Sequence, residues 1–221
     1  MTGYNLKWTE GNAKLTKTSG EAYRVLGYGI PADFNFGDGG NTCPGASACR
    51  GVCYAKQGRY IMASVFNARK HNLDIYLNEG HVSFAAKAIA DLAKLGKRYN
   101  VVRIHDSGDF FSQDYLNAWK LIARSLPGIV FYAYTKSLHL DIQGEKPDNL
   151  RIVQSLGGKH DESVNLSVSH ARIFSSDDDR INAGYVDGNV NDIPAIEGVQ
   201  KIGLIYHGVK KLTPAQREFF S

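Results

Sequence analysis

The chain is short of cysteine, has no long apolar run and carries no block of like charge, and each shortage excludes something. Among its 221 residues no stretch approaches the roughly 18 consecutive apolar residues that a membrane helix needs. The polar opening MTGYNLKWTEGN lacks the apolar stretch of a signal peptide, so the expected location is the cytoplasm. No basic run exceeds a pair, and 26 Lys and Arg against 22 Asp and Glu leave a net charge of only +4, with a pI near 8.8. Nucleic-acid binding is therefore allowed but not indicated. What is present, 43% hydrophobic, 11% aromatic and 22% charged residues, excludes a disordered or low-complexity chain. At about 100 to 200 residues per domain the length fits one fairly large domain that buries a core without disulfides.

The three cysteines, Cys43, Cys49 and Cys53, all fall within eleven residues. An odd number crowded into one loop is no disulfide framework, and in a reducing compartment clustered thiols point to a metal. Their spacing is C-x5-C-x3-C. The small residues between them let the backbone curl and aim N–H groups at sulfur, and thiolates are the ligands that soft iron prefers. The expected group is a [4Fe-4S] cluster with one iron not bound by cysteine. Two alternatives stand beside it. One is zinc with one of the seven histidines as fourth ligand; the other is three free cysteines packed as small hydrophobes.

Residues 1–20 are polar, with little period, and read as a surface arm; residues 21–221 read as a single β/α domain with the iron–sulfur loop at 41–55. Tyr23 to Ile30 fits a strand closed by Pro31. Tyr54 to about Leu77 suits a helix, and Val82, Ala85, Ala86, Ile89, Leu92 and Ala93 give a second helix that Gly96 stops. A strand at Asn100–His105 leads into the loop Asp106–Asp109. Ser112 then caps a helix with the stripe Tyr115, Trp119, Ile122 and Leu126. Further strands are expected at Ile129–Tyr134, Leu150–Leu156, Val164–Val168 and Lys201–His207, with an irregular stretch over 169–198 and a last helix from Thr213. Alternating strands and helices without a dinucleotide glycine fingerprint favour a parallel, TIM-barrel-like β/α barrel, small or incomplete, over an open sheet. In such a barrel the loops that follow the strands share one mouth.

Four loops should therefore meet there: the cysteine loop, Asp106–Asp109, Thr135–Lys136 and His207–Gly208. His105, Asp106, Ser107 and Asp109 place an imidazole, two carboxylates and a hydroxyl at a strand end, where acid–base groups sit. The alternative is that Asp109 or Ser112 only caps the next helix and Asp106 pairs with Arg103. Lys136 could bind a carboxylate or neutralise an anionic cluster, or be a solvated surface charge. Arg50 and Arg59 flank the cluster loop and could do the same electrostatic work. His170 and His207 are the remaining candidates for a fourth ligand.

The stretches TCPGASACRGVCYAKQGRY, VVRIHDSGDFFSQDYLNAWKLIARSLPG and FYAYTKS resemble the phage gene product 88 family, with its C-P-x4-C-x3-C-Y-A, R-x-H-D-S-G-D-F and Y-A-Y-T-[KR]-S motifs. The likeness runs over about residues 41–137. It implies a phage-encoded, TIM-barrel-like protein with a three-cysteine iron–sulfur site, and by more distant similarity a relation to radical-SAM barrels. It implies Cys43, Cys49 and Cys53 as ligands and Arg103, His105, Asp106, Ser107, Gly108 and Asp109 as the second motif; Arg50 and Tyr54, within and next to the triplet, are the cofactor-binding candidates. The sequence departs from radical-SAM enzymes in its cysteine spacing, since their usual triplet is C-x3-C-x2-C, and in lacking a clear adenosine-binding glycine segment. Two classes of function remain. In the first, an open iron acts on a small thiol or amino acid, as in a lyase or desulfidase, with S-adenosylmethionine chemistry as a variant. In the second, a non-catalytic iron–sulfur module senses redox state or binds a host protein.

Overall fold

Strands form where apolar and β-branched residues run without a helical stripe. The computed structural model describes residues 3–206, so His207 and the helix expected from Thr213 lie outside the described residues. The strands are Val25–Gly27 (β1), Asn35–Phe36 (β2), Gly40–Asn41 (β3), Val101–Ile104 (β4), Val130–Thr135 (β5), Leu150–Ser155 (β6), His170–Phe174 (β7), Val186–Asp187 (β8) and Lys201–Ile205 (β9). The helices are Ala13–Thr18 (α1), Cys49–Val52 (α2), Ala63–Leu95 (α3), Gln113–Ser125 (α4), Asp177–Asn182 (α5) and Ile193–Ile196 (α6). β2 and β3 pair as a small antiparallel hairpin; the other strands make one seven-stranded parallel sheet in the order β1-β4-β5-β6-β7-β9-β8. This sheet curls into a half-barrel with β1 and β8 as its edges, so the barrel-like α/β expectation holds in that coarser form. Among the described residues no helix is long and apolar enough to cross a membrane.

Alternation along the strands makes two cores. Leu26, Val102, Ile104, Phe131, Ala133 and Leu150 face outward under α3 and α4, against Phe84, Ala85 and Trp119. Val25, Val101, Tyr132, Val153, Ala171 and Ile202 face inward, where Leu15 of α1 and Ala195 and Ile196 of α6 cover them. Ser112 caps α4 by accepting the Tyr115 N–H at 3.2 Å. Within α3 the backbone leaves helical geometry at Gly80, φ 78°, a left-handed conformation that suits glycine; the two expected neighbouring helices are its halves. The first half starts only at Ala63, after 3-10 turns at Tyr54–Lys56 and Gly58–Ile61, and Val82 is exposed rather than buried.

Three expectations need correction. The N-terminal segment is not a surface arm. Leu6, Trp8, Leu15 and Thr18 are buried, and Asp91 accepts from the Asn5 and Leu6 N–H groups and from Trp8 Nε1 at 2.8–3.1 Å. Thr9 then bridges to Gly27, so the segment reaches the open edge of β1 and pairs the Gly27 N–H and C=O there. Residues 164–168 are not a strand, for Leu166 and Val168 are exposed and the next strand begins at His170. The stretch 169–198, expected to be irregular, holds β7, α5, β8 and α6. The last three are too short to show a period in sequence.

Candidate functional site

Parallel strands end on one rim, and the connections that follow β1, β4, β5 and β6 close it. The cysteine loop is pinned there by backbone bonds: Lys159 N–H to Gly45 O at 2.9 Å, the Ala46–Gly158 bridge, and Asp109 N–H to Thr42 O at 2.8 Å. Gly45 is required by the approach itself, because a Cβ there would lie 2.0 Å from the Lys136 carbonyl oxygen. The expected convergence of the cysteine, Asp106–Asp109 and Thr135–Lys136 loops is thus present among the described residues.

The three thiols are free and half-buried. The Asp33 N–H donates to Cys43 Sγ at 3.3 Å, from a backbone held at φ 48°, and the Ala55 N–H donates to Cys53. Burial, reinforced by Asp109 and the other two thiols, pushes the Cys43 thiol up to about 12 against the Asp33 N–H. Burial raises Cys53 as well. Arg50 is the staple of this loop: Nε reaches Ala46 O at 3.3 Å, Nη2 reaches Cys43 O at 3.4 Å, and Nη1 pairs with Asp33 at 2.7 Å. Lys56 meets the same Asp33 carboxylate. Tyr54 exposes its ring but donates its hydroxyl to Asp106 O at 2.7 Å. Among the described residues no three His, Cys, Asp or Glu side chains gather tightly enough to hold a single metal ion, and His207, a candidate fourth ligand, lies outside them.

His105 does not face the rim. It sits at φ 64° with its ring in an aromatic cage, 4.8 Å from Phe110, 5.6 Å from Tyr115 and 6.2 Å from Tyr28. Nε2 meets the Tyr115 hydroxyl at 3.0 Å, Nδ1 has no partner among the described residues, and burial lowers its pKa to about 3, so the ring is neutral. Asp106 pairs with Arg69 of α3 at 2.7 Å rather than with Arg103. Ser107 Oγ accepts from Arg69 Nε at 2.6 Å and donates to Ile30 O at 2.7 Å. Asp109 is a junction: it accepts from Phe110 N–H, Thr135 Oγ1 and Lys136 N–H at 2.6–2.9 Å, while burial raises its pKa. Lys136 is half-buried and donates to Leu156 O at 2.6 Å; burial lowers its pKa against the pull of Cys49, Asp109 and Asp161. His170 uses both ring nitrogens, on Val168 O at 2.8 Å and Tyr185 OH at 3.0 Å, and is not placed to be a fourth ligand.

With this geometry in hand the comparisons are specific. A family model described as gene product 88 matches residues 6–216. The chain belongs to the gene product 88 family. Among its relatives, the Gene 88 protein of Mycobacterium phage L5 is 31% identical over 168 residues, 72% of this chain and 64% of its own length. The Gene 88 protein of Mycobacterium phage D29 is 30% identical over 151 residues, 59% of this chain and 61% of its own length. The matches thus span less than two thirds of those relatives. No solved structure matches.

In this gene product 88 family member the residues that hold the motifs lie outside them, two of the three far away in sequence. Asp33 braces the cysteine loop, Arg69 fixes Asp106 and Ser107, and Asp192 fixes Arg103 through Nη1 at 2.8 Å. Of these only Arg69 left a signal. It shares a helical stripe with Asn72, Leu73 and Tyr76, and a polar side chain on a buried stripe needs an internal partner.

Proposed function

We propose that this family member is an iron–sulfur protein in which Cys43, Cys49 and Cys53 hold a [4Fe-4S] cluster at the half-barrel rim and a small thiol or amino acid occupies the fourth iron. The observation that carries the reading is the thiol triplet itself. Its thiols lie within electrostatic reach of one another, on a loop fastened at both flanks, with backbone N–H groups donating to two of the sulfurs. Such N–H donors stabilise thiolate ligands, and a cubane takes its thiolates at separate iron corners, so they need not converge on one point. The donor set fits that group. When bound, the cluster supplies a Lewis-acidic iron for lyase or desulfidase-type chemistry. Lys136, beside Cys49, offsets the negative charge of the thiolates, and Arg50 and Lys56 hold the loop through Asp33. Acid–base work falls to rim groups other than His105, whose ring is in the core. A reducing host cytoplasm suits such a site.

The test is anaerobic purification with iron and sulfide analysis, then EPR of the reduced protein with and without L-cysteine or S-adenosylmethionine. About four iron and four sulfide per chain, with a spectrum shifted by one of the two, is the expected result. Stoichiometric zinc without labile sulfide overturns the metal assignment. A spectrum indifferent to both compounds overturns the enzyme and leaves a redox or adaptor module.

A further inference from the structure

The inner face of the half-barrel holds a buried ionic cluster. Lys14 and Arg103 both pair with Asp192 at 2.8 Å, so two cations share one carboxylate. Asp192 is fully buried and Arg103 only 8% exposed. Both Asp192 oxygens are taken: Oδ1 by Lys14 and the Tyr134 hydroxyl, Oδ2 by Arg103 Nη1 and the Tyr132 hydroxyl. The carboxylate is thus held by four donors and cannot turn to serve more. Asp187 lies within electrostatic reach of the cluster on the Lys14 side, and is only partly buried.

Arg103 therefore has an idle edge. Its Nη1 is its only hydrogen-bonding nitrogen among the described residues, and its Nε is buried with no acceptor. Nε and Nη2 form the side of a guanidinium that grips a planar two-oxygen anion, and an unmatched buried donor is costly. Arg103 lies on β4 three residues before the Asp106–Asp109 loop, and Tyr54 and Tyr60 feel its charge and that of Cys53 at once. Tyr54 of the cysteine loop also donates to Asp106 O at 2.7 Å, so Arg103 and the cysteine loop lie at one end of the half-barrel.

We propose that the Nε and Nη2 edge of Arg103 is a carboxylate-binding subsite, taking the single carboxylate of a small ligand at the end of the half-barrel that carries the cysteine loop. One planar pair of donors matches one carboxylate; with Asp187 also within electrostatic reach, a phosphate dianion would bring more negative charge than the cluster offsets. The proposal rests on the iron–sulfur reading only for what occupies the other end of the ligand.

The experiment compares L-cysteine with cysteamine, the same molecule without its carboxylate, by thermal unfolding of the full chain under anaerobic conditions, both iron-free and cluster-loaded. L-cysteine should half-saturate at least tenfold lower than cysteamine in both forms, and Arg103→Lys should abolish that ratio. Where Arg103→Lys fails to fold, the wild-type ratio decides. Equal potency of the two compounds, or of L-cysteine and inorganic phosphate, overturns the subsite. A chain that never holds iron but keeps the tenfold ratio overturns only the iron reading; a cluster-loaded chain without the ratio overturns only the subsite.

Discussion

His105 shows how the same residue type changes meaning with its surroundings. At a strand end it reads as a proton carrier, yet the positive φ turns its ring back among Phe110, Tyr115 and Tyr28, where no charge is tolerated. Its pKa of about 3 lies below the ordinary 6.5, so the unfolded chain takes up a proton below pH 6.5 that the folded chain refuses. Stability from this group is whole above that pH and is lost toward pH 3, at about 1.4 kcal/mol per pH unit. We expect His105→Asn, chosen because asparagine tolerates the left-handed backbone, to be less stable at pH 7. Its loss between pH 7 and pH 5 should be smaller than wild type's by about 2 kcal/mol. Urea unfolding at both pH values reads this, and parallel profiles would refute the buried neutral ring. Asp109 is the opposite case, a carboxylate whose three donors come from two loops. Asp109→Ala leaves those donors unmatched and should cost about 2–4 kcal/mol in the same measurement; a cost under about 1 kcal/mol would show that water replaces them.

At the scale of elements, legibility followed length and locality. β4, β5, β6 and α4 carry enough residues for their pattern to show, and Ser112 marked the start of α4. Val164, Leu166 and Val168 alternate as a strand does, but the alternation is accidental: two of the three are exposed on a loop. The motif residues were readable as neighbours within their loops. Their anchors were not, because Arg69 meets Asp106 across 37 residues and Arg103 meets Asp192 across 89. A backbone approach is equally invisible in sequence. Gly45→Ala should force the cysteine loop away from Lys136, destabilise the protein by about 1–3 kcal/mol and lower its iron content. Gly128→Ala, where nothing lies within 4 Å of the added atom, is the control and should change neither. Full iron content in Gly45→Ala would mean that the loop holds its ligands without that contact.

For the molecule as a whole, a half-barrel has to solve what a closed barrel does not: an exposed first edge and an unfilled interior. The N-terminal segment answers both. Leu6 and Trp8 pack with the outer core, Thr9 pairs with the edge of β1, and Leu15 of α1 enters the inner core beside Lys14, which reaches Asp192. Trp8 also fills its N–H on Asp91, so little can relax into the space it leaves. We expect Trp8→Ala to cost about 3–5 kcal/mol and Leu15→Ala about 2–5 kcal/mol, large shares of a typical domain's stability. The two should differ in kind. Trp8 lies on the side away from the ionic cluster, so its loss lowers stability alone. Leu15 carries α1, and its loss should also loosen the Lys14–Asp192 pair and weaken whatever Arg103 binds. Urea unfolding combined with the L-cysteine titration separates them. An identical ligand response in both variants would show that α1 fills the half-barrel without shaping its site.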